Sequence, residues 1–272
     1  MTKPSLKWYT YNVISLQIKD EKGDKLPKFF VKKDQLATGN VTIVGGDAVH
    51  LTKVLRLTAG DGIILCDGQG MDYEAEIAAV SKDGVSCSIV RSYPCDTEPK
   101  IQITLFQGVP KASKMEYIIQ KCTELGIVQI VPVMTKRTVV KLEDAKSEKK
   151  KLERWNKISA ESVKQCGRGR IPEVSPVMSV SEVSACAADF DLMIVAYEEE
   201  TEKTLKQVLR DVKKPMKIGI IIGPEGGFEP EEVQAFMSAG AESVTLGKRI
   251  LRTETAGHTV LTAVMYELGE LE

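Results

Sequence analysis

From Ile101 onward, short and almost wholly apolar runs alternate with longer stretches in which apolar residues recur every three or four positions. The runs are IQITLFQGV (101–109), IVQIVPVM (127–134), FDLMIVAY (190–197), KIGIIIG (217–223) and SVTLG (243–247). A strand without polar alternation has no face for water, so these strands must be covered on both sides. The intervening stretches supply the cover. Ser113 is placed to cap a helix in which Met115, Ile118, Ile119, Cys122 and Leu125 share a face and which Gly126 ends. A long helix over 147–166 sets Leu152, Trp155, Ile158 and Val163 among lysines and glutamates. TLKQVLRDV (204–212), PEEVQAFMSAG (230–240) and a last segment over 255–268 complete the set. The alternation predicts an α/β domain with a parallel sheet and helices on both faces.

The region before it is built differently. KFFVKK, NVTIVGG, GIILCDG, YEAEIAAV and GVSCSIV are short, rich in Val and Ile, and separated by GN, GG, GD, DG and KDG turns. That spacing predicts a small β-barrel or sandwich of roughly 70 residues. YPCDTEPK (93–100) reads as a linker, which places a β-domain at 28–97 and the α/β domain at 98–272. Residues 1–27 show no clean period and stand outside both as an N-terminal extension.

Lys plus Arg (37) nearly balance Asp plus Glu (38), so the chain is not a polycation and any nucleic-acid contact must come from local patches. PKASKMEYIIQK, TKRTVVK, QCGRGR and LGKRILR are the candidates. No stretch reaches the roughly 18 apolar residues of a membrane span, and the start of the chain lacks a signal-peptide pattern, so a cytoplasmic protein is expected. Six cysteines without a CxxC pair and only two histidines predict no metal site, and Cys166 is given no chemistry.

In parallel sheets ligands sit beyond the carboxyl ends of the strands, which directs attention to the loops after IVAY, IIIG and TLG. GPEGGFEPEE departs from GxGxxG and lacks the GK[ST] of a phosphate loop, which argues against a dinucleotide or nucleoside triphosphate. Its EPEE half is helix-start chemistry: Pro230 fits the first helical position, and Glu229, Glu231 and Glu232 complement the helix dipole. Gly223, Gly226 and Gly227 let backbone approach a ligand while Pro224 stiffens the turn. Glu225 would repel a phosphate and suits a cationic or hydrogen-bond-donating ligand. In LGKRILRTETAGHT, Thr253 or Thr255 is expected to cap the last helix, and Arg252 either pairs with a carboxylate such as Glu254 or faces a substrate. His258 is read as packed.

Residues 28–270 resemble the RsmE family of small-subunit ribosomal RNA methyltransferases, of the SPOUT class. The resemblance is carried by KFFV, HLTKVLRLTAGDGIILCDGQGMDYEAEI, GVPKASKMEYIIQKCTELGI, SAESVKQCGRGRIPEV, IGPEGGFEPEEV and LGKRILRTETA, in that order. It implies a PUA-like β-barrel followed by a SPOUT domain with a trefoil knot, a homodimer, and S-adenosylmethionine as methyl donor. The implied reaction is methylation of N3 of uridine 1498 of 16S ribosomal RNA in the 30S subunit. Another RNA-base or ribose 2′-O methyltransferase, or a non-catalytic RNA-binding assembly factor, are the alternatives. The implied cofactor residues are Ala196, Gly223, Pro224, Glu225, Gly226, Gly227, Leu246, Gly247, Ile250, Leu251 and Arg252. Arg252 is the expected stabiliser of negative charge on the uracil, and Glu225 or Glu254 the expected base. His50, Lys53, Arg56, Lys111, Lys114, Arg168 and Arg170 are the expected RNA contacts. AGHT stands where plain apolar residues are expected, so His258 receives no role.

Overall fold

The computed structural model describes residues 26–140, 145–212 and 215–271; most of the N-terminal extension and Lys141 of TKRTVVK therefore lie outside the described residues. The chain forms two contact units, one running to Leu65 and resuming over Asp72–Thr97, the other comprising Cys66–Met71 and the chain from Glu98.

In the first unit β1 (Lys28–Phe30), α1 (Lys33–Leu36), β2 (Asn40–Ile43), α2 (Gly45–Val49), β3 (Gly62–Cys66), β4 (Met71–Val80) and β5 (Val85–Pro94) follow in sequence. The five strands form one sheet in the order β1-β3-β4-β5-β2. Period-two alternation sets its core: Val41 and Ile43 of β2 face inward, pair with Cys87 and Val85 of β5, and pack with Phe29, Leu51, Ile63, Leu65 and Ile77. One detail differs from the sequence reading and a second is new to it. β5 extends through Tyr93 and Pro94, which the sequence assigns to the linker, and His50–Val54 forms a π-helical turn followed by Arg56 at φ 58°.

The second unit holds β6 (Gln102–Gly108), α3 (Lys114–Glu124), β7 (Gln129–Met134), α4 (Ala145–Cys166), β8 (Glu173–Val174), β9 (Met178–Ser179) and α5 (Val180–Ala185). β10 (Leu192–Ala196), α6 (Leu205–Asp211), β11 (Lys217–Ile222), α7 (Pro230–Ser238), β12 (Glu242–Val244) and α8 (Thr253–Glu267) follow. The sheet order is β12-β10-β11-β6-β7-β8 with β9 also on β7, and every pairing is parallel. Successive residues point to opposite faces, so Ile218, Ile220 and Ile222 join a core with α3, α6 and α8 while Ile221 joins another with α5 and α7. Each fully buried isoleucine contributes about 1.5–3 kcal/mol, which is why the apolar runs lack polar alternation. No helix among the described residues is long and apolar enough to cross a membrane.

Helix ends follow local chemistry with two corrections. Ser113 occupies the N-cap position of α3, but its hydroxyl makes no capping bond; Gly126, at φ 96°, ends that helix as expected. At α7 the Glu232 carboxylate accepts the Glu229 N–H (2.9 Å) and the Lys136 N–H (2.8 Å), and Pro230 is the first helical residue.

Arg168 is the second correction. Expected to face RNA, it is 3% exposed. Its Nη1 donates to the carbonyls of Thr123 (2.9 Å) and Ile127 (2.8 Å), at the end of α3. Its Nε and Nη2 donate to Glu98, whose Oε1 also accepts the N–H groups of Gly169 (2.8 Å) and Arg170 (3.0 Å). The GRGR segment is thus an internal tie that secures the start of this unit to the end of α3. Burial also pushes the Cys166 thiol up, against the pull of Arg168, which disfavours its thiolate.

Candidate active site

Register decides where the loops emerge. Ala196, the last residue of β10, lies beside both Ile222 of β11 and Val244 of β12, so three parallel strands end level with one another. The segments that follow, from Tyr197, Gly223 and Thr245, rise from one edge and enclose a cavity of about 490 Å³. All eleven residues expected to hold a cofactor line it: Ala196, Gly223, Pro224, Glu225, Gly226, Gly227, Leu246, Gly247, Ile250, Leu251 and Arg252. Tyr197, Glu198, Ile222, Thr245, Arg249 and Ala256 join them without having been expected at a site, Thr253 joins them although it was expected only as a cap, and Lys114 reaches in from α3.

The glycine loop is positioned from below by residues that carry no motif. A Cβ on Gly108, at the end of β6, would lie 2.5 Å from both N and Cδ of Pro224 and 2.8 Å from the Gly223 carbonyl carbon. Backbone and a proline ring cannot swing aside, so Gly108 lets the loop sit where it does. A Gly108→Ala variant is therefore expected to lose about 1–3 kcal/mol of stability from overpacking, measured by denaturant unfolding, with ligand affinity falling in parallel.

Beside it, Gln107 is fully buried; its Nε2 donates to Thr253 Oγ1 (2.8 Å), and Thr253 Oγ1 donates to the Gly223 carbonyl (2.6 Å). Thr253 thus ties α8 to the loop instead of capping the helix; Arg252 holds the N-cap position with no side-chain capping bond. On the other flank Arg137 donates to the Gly226 carbonyl (2.9 Å) and to Glu229 (2.9 Å).

The charged groups sort into distinct tasks. Lys114 Nζ lies 3.0 Å from Glu225 and 3.3 Å from Glu254, bridging the glycine loop and the first turn of α8. The Glu254 contact is an ion pair without hydrogen-bond alignment, since its Oε2 is shielded and has no hydrogen-bonding partner among the described residues. Glu225 also accepts the Lys111 N–H (3.1 and 3.3 Å). Partial burial works to raise the Glu225 pKa, but the hydrogen bonds from Lys114 and the backbone, with the Lys114 charge, outweigh it and hold the carboxyl below its ordinary range. Arg252 has no ion pair among the described residues, Glu254 included, and its side chain is exposed on the cavity wall.

Of the expected RNA contacts, His50, Lys53, Arg56 and Lys111 are exposed and Arg170 is half-buried. Lys114 serves the two carboxylates and Arg168 is internal. His258 is half-buried with its ring edge-on to Tyr117 at 5.4 Å, and burial followed by the nearby Lys121 charge lowers its pKa. Among the described residues no group of three or more His, Cys, Asp or Glu side chains is arranged to hold a metal ion.

A level row of parallel strand ends, a glycine loop without the GK[ST] of a phosphate site and a separate β-rich unit define the class: the family model described as RNA methyltransferase domain matches residues 97–265, and that described as RNA methyltransferase PUA domain matches 45–90. The chain is 38% identical over 230 residues to ribosomal RNA small subunit methyltransferase E of Bacillus subtilis, covering 83% of this chain and 90% of the relative. The protein of that name from Mesomycoplasma hyopneumoniae is 34% identical, with 86% and 97% covered. The crystal structure of ribosomal RNA small subunit methyltransferase E from Neisseria gonorrhoeae bound to S-adenosylmethionine superposes with a TM-score of 0.75 at 30% identity, covering 89% of this chain and 97% of that one. The chain belongs to the ribosomal RNA small subunit methyltransferase E family.

Proposed function

We propose that this chain methylates N3 of a uridine in small-subunit ribosomal RNA with S-adenosylmethionine as donor, acting in the cytoplasm as a homodimer whose C-terminal backbone is knotted. The observation that carries the reading is that the eleven cofactor residues implied by the family resemblance all line one cavity. Its residues suit that donor. The glycine loop has no lysine or Ser/Thr for a phosphate, and the wall offers backbone together with the apolar Ala196, Leu246 and Leu251, which suits a nucleoside without phosphate. When bound, S-adenosylmethionine supplies an electrophilic methyl group on a sulfonium.

The protein's own groups do the rest. Loss of the uracil N3 proton places negative charge on the adjoining carbonyl oxygens, and Arg252, with no internal partner among the described residues, is free to donate to them. Glu225 is an unsuitable base because Lys114 and the backbone engage its oxygens and lower its basicity. Glu254, the other carboxylate expected as base, is not among the residues lining the cavity, and its shielded Oε2 is ion-paired with the same Lys114. A Glu225→Gln variant is accordingly expected to keep kcat within about tenfold of wild type at pH 7, whereas loss of a general base there would lower it by about 100- to 10,000-fold. The sign of the shift fits: a depressed carboxyl pKa means that the Lys114 tie persists at neutral pH and is lost only as pH falls through that lowered value.

His50, Lys53 and Arg56 of the first unit and Lys111 and Arg170 of the second remain the RNA-facing cations, and pairing two copies would double their number on a nearly neutral chain. The test is nucleoside mass spectrometry of unmethylated 30S particles incubated with the protein and S-adenosylmethionine. New 3-methyluridine is the expected result; a 2′-O-methylated nucleoside, or donor binding without methylation, would refute the reading.

A further inference from the structure

Three consecutive glutamates follow the Tyr197 that leaves β10, and they are not equivalent. Glu199 accepts the Tyr197 hydroxyl (2.9 Å). Glu200 accepts the N–H groups of Glu202 (2.9 Å) and Lys203 (3.1 Å), closing the turn toward α6. Glu198 has neither hydrogen bond nor ion pair among the described residues, and it lines the cavity. Across from it Gly227 has φ 70°, and a Cβ there would run into the Glu198 carboxylate. The last glycine of the loop therefore makes room for this carboxylate as well as for the turn.

The surroundings narrow what such a group accepts. Arg137 packs against the same loop, its Cβ lying 3.0 Å from where a Gly226 Cβ would be, and its guanidinium is held by Glu229 and the Gly226 carbonyl. A fixed cation at this flank weakens the attraction for a second ammonium and leaves the two acceptor oxygens suited to neutral donors. A carboxylate whose two oxygens have no hydrogen-bonding partner among the described residues matches a vicinal pair of hydroxyls, each donating one hydrogen bond.

We propose that Glu198 accepts the two ribose hydroxyls of the nucleoside bound in this cavity and thereby makes the site selective for ribonucleosides. The inference rests on the S-adenosylmethionine reading above, because it takes the ligand to be a nucleoside. Calorimetry on the full chain tests it with S-adenosylmethionine, 5′-methylthioadenosine and the 2′-deoxy form of the latter, on wild type, Glu198→Gln and Glu198→Ala. Wild type is expected to bind the riboside about tenfold or more tightly than the deoxyriboside, and Glu198→Ala to abolish that difference. The gain in affinity from the methionine tail should be the same in both proteins, with unchanged melting temperatures.

If Glu198→Ala instead loses the gain from the methionine tail, the carboxylate binds the ammonium and the proposal fails. Retained discrimination in Glu198→Ala also overturns it, whatever the melting temperature. Failure of wild type to bind any of the three probes brings down the donor assignment and this inference together, an outcome separate from the others.

Discussion

Arg168→Ala is expected to lower the stability of the second unit by about 3–5 kcal/mol, the penalty for removing one partner of a buried ion pair. The Arg168 and Glu98 side chains are 4% and 14% exposed, so the abandoned carboxylate would have little water to turn to. The carbonyls of Thr123 and Ile127 would lose their donor at the same stroke. For a unit of this size the loss corresponds to a fall in melting temperature of about 10 °C. Arg168→Lys should recover little, because a point-like ammonium cannot serve two carbonyls and both carboxylate oxygens at once. The double variant Arg168→Met with Glu98→Gln should recover much of the loss by leaving no unpaired charge. Salt-dependent RNA binding separates this role from the one the sequence suggests. A phosphate contact would leave the melting temperature intact and reduce the slope of log affinity against log salt by about one; the internal tie predicts the reverse.

Arg168 also shows what kind of information a sequence withholds. GRGR reads as a basic patch because nothing nearby reveals Glu98, seventy positions earlier, as its partner. The same blindness hides Gln107, Gly108 and Thr253. Their importance comes from contacts with the Gly223–Pro224 segment and with each other across separations of up to 146 residues, and neither periodicity nor turn chemistry registers such contacts. Thr253 was open to misreading because a threonine just before a helix ordinarily caps it, whereas here the neighbouring carbonyl of Gly223 claims the hydroxyl. β8 and β9, at two residues each, are too short to show any period. What was legible is what depends on local physics. Ile220, Ile221 and Ile222 announce a strand buried on both faces and divide between two cores as that requires. The glycines beside Pro224 announce close backbone approach, and they line the cavity. Glu198 lies between these cases: a carboxylate just past a strand end is visible in the sequence, but only the fold shows which member of the triplet is free.

Arg252→Ala is expected to reduce kcat about 100- to 1000-fold, the range found when a group stabilising developing negative charge is removed. The structure gives reasons for the loss to appear in the chemical step. The N–H groups of Thr255 and Ala256 donate to the Arg252 carbonyl (both 2.9 Å), so the start of α8 is secured by backbone that an alanine retains. The side chain makes no capping bond to forfeit and no ion pair among the described residues, and its loss should change stability by no more than about 0.5 kcal/mol. Donor affinity, measured by calorimetry, should change much less than kcat if the walls of the cavity are chiefly the glycine loop and the Leu246–Leu251 segment. Arg252→Lys should fall between the two, keeping a charge while losing the forked donors that can reach one carbonyl oxygen in a fixed plane. Full methylation kinetics in Arg252→Ala, or a defect confined to donor affinity, would transfer the stabilising role to another cation on the same wall. Arg249 is the nearest in sequence, and it lines the cavity as well.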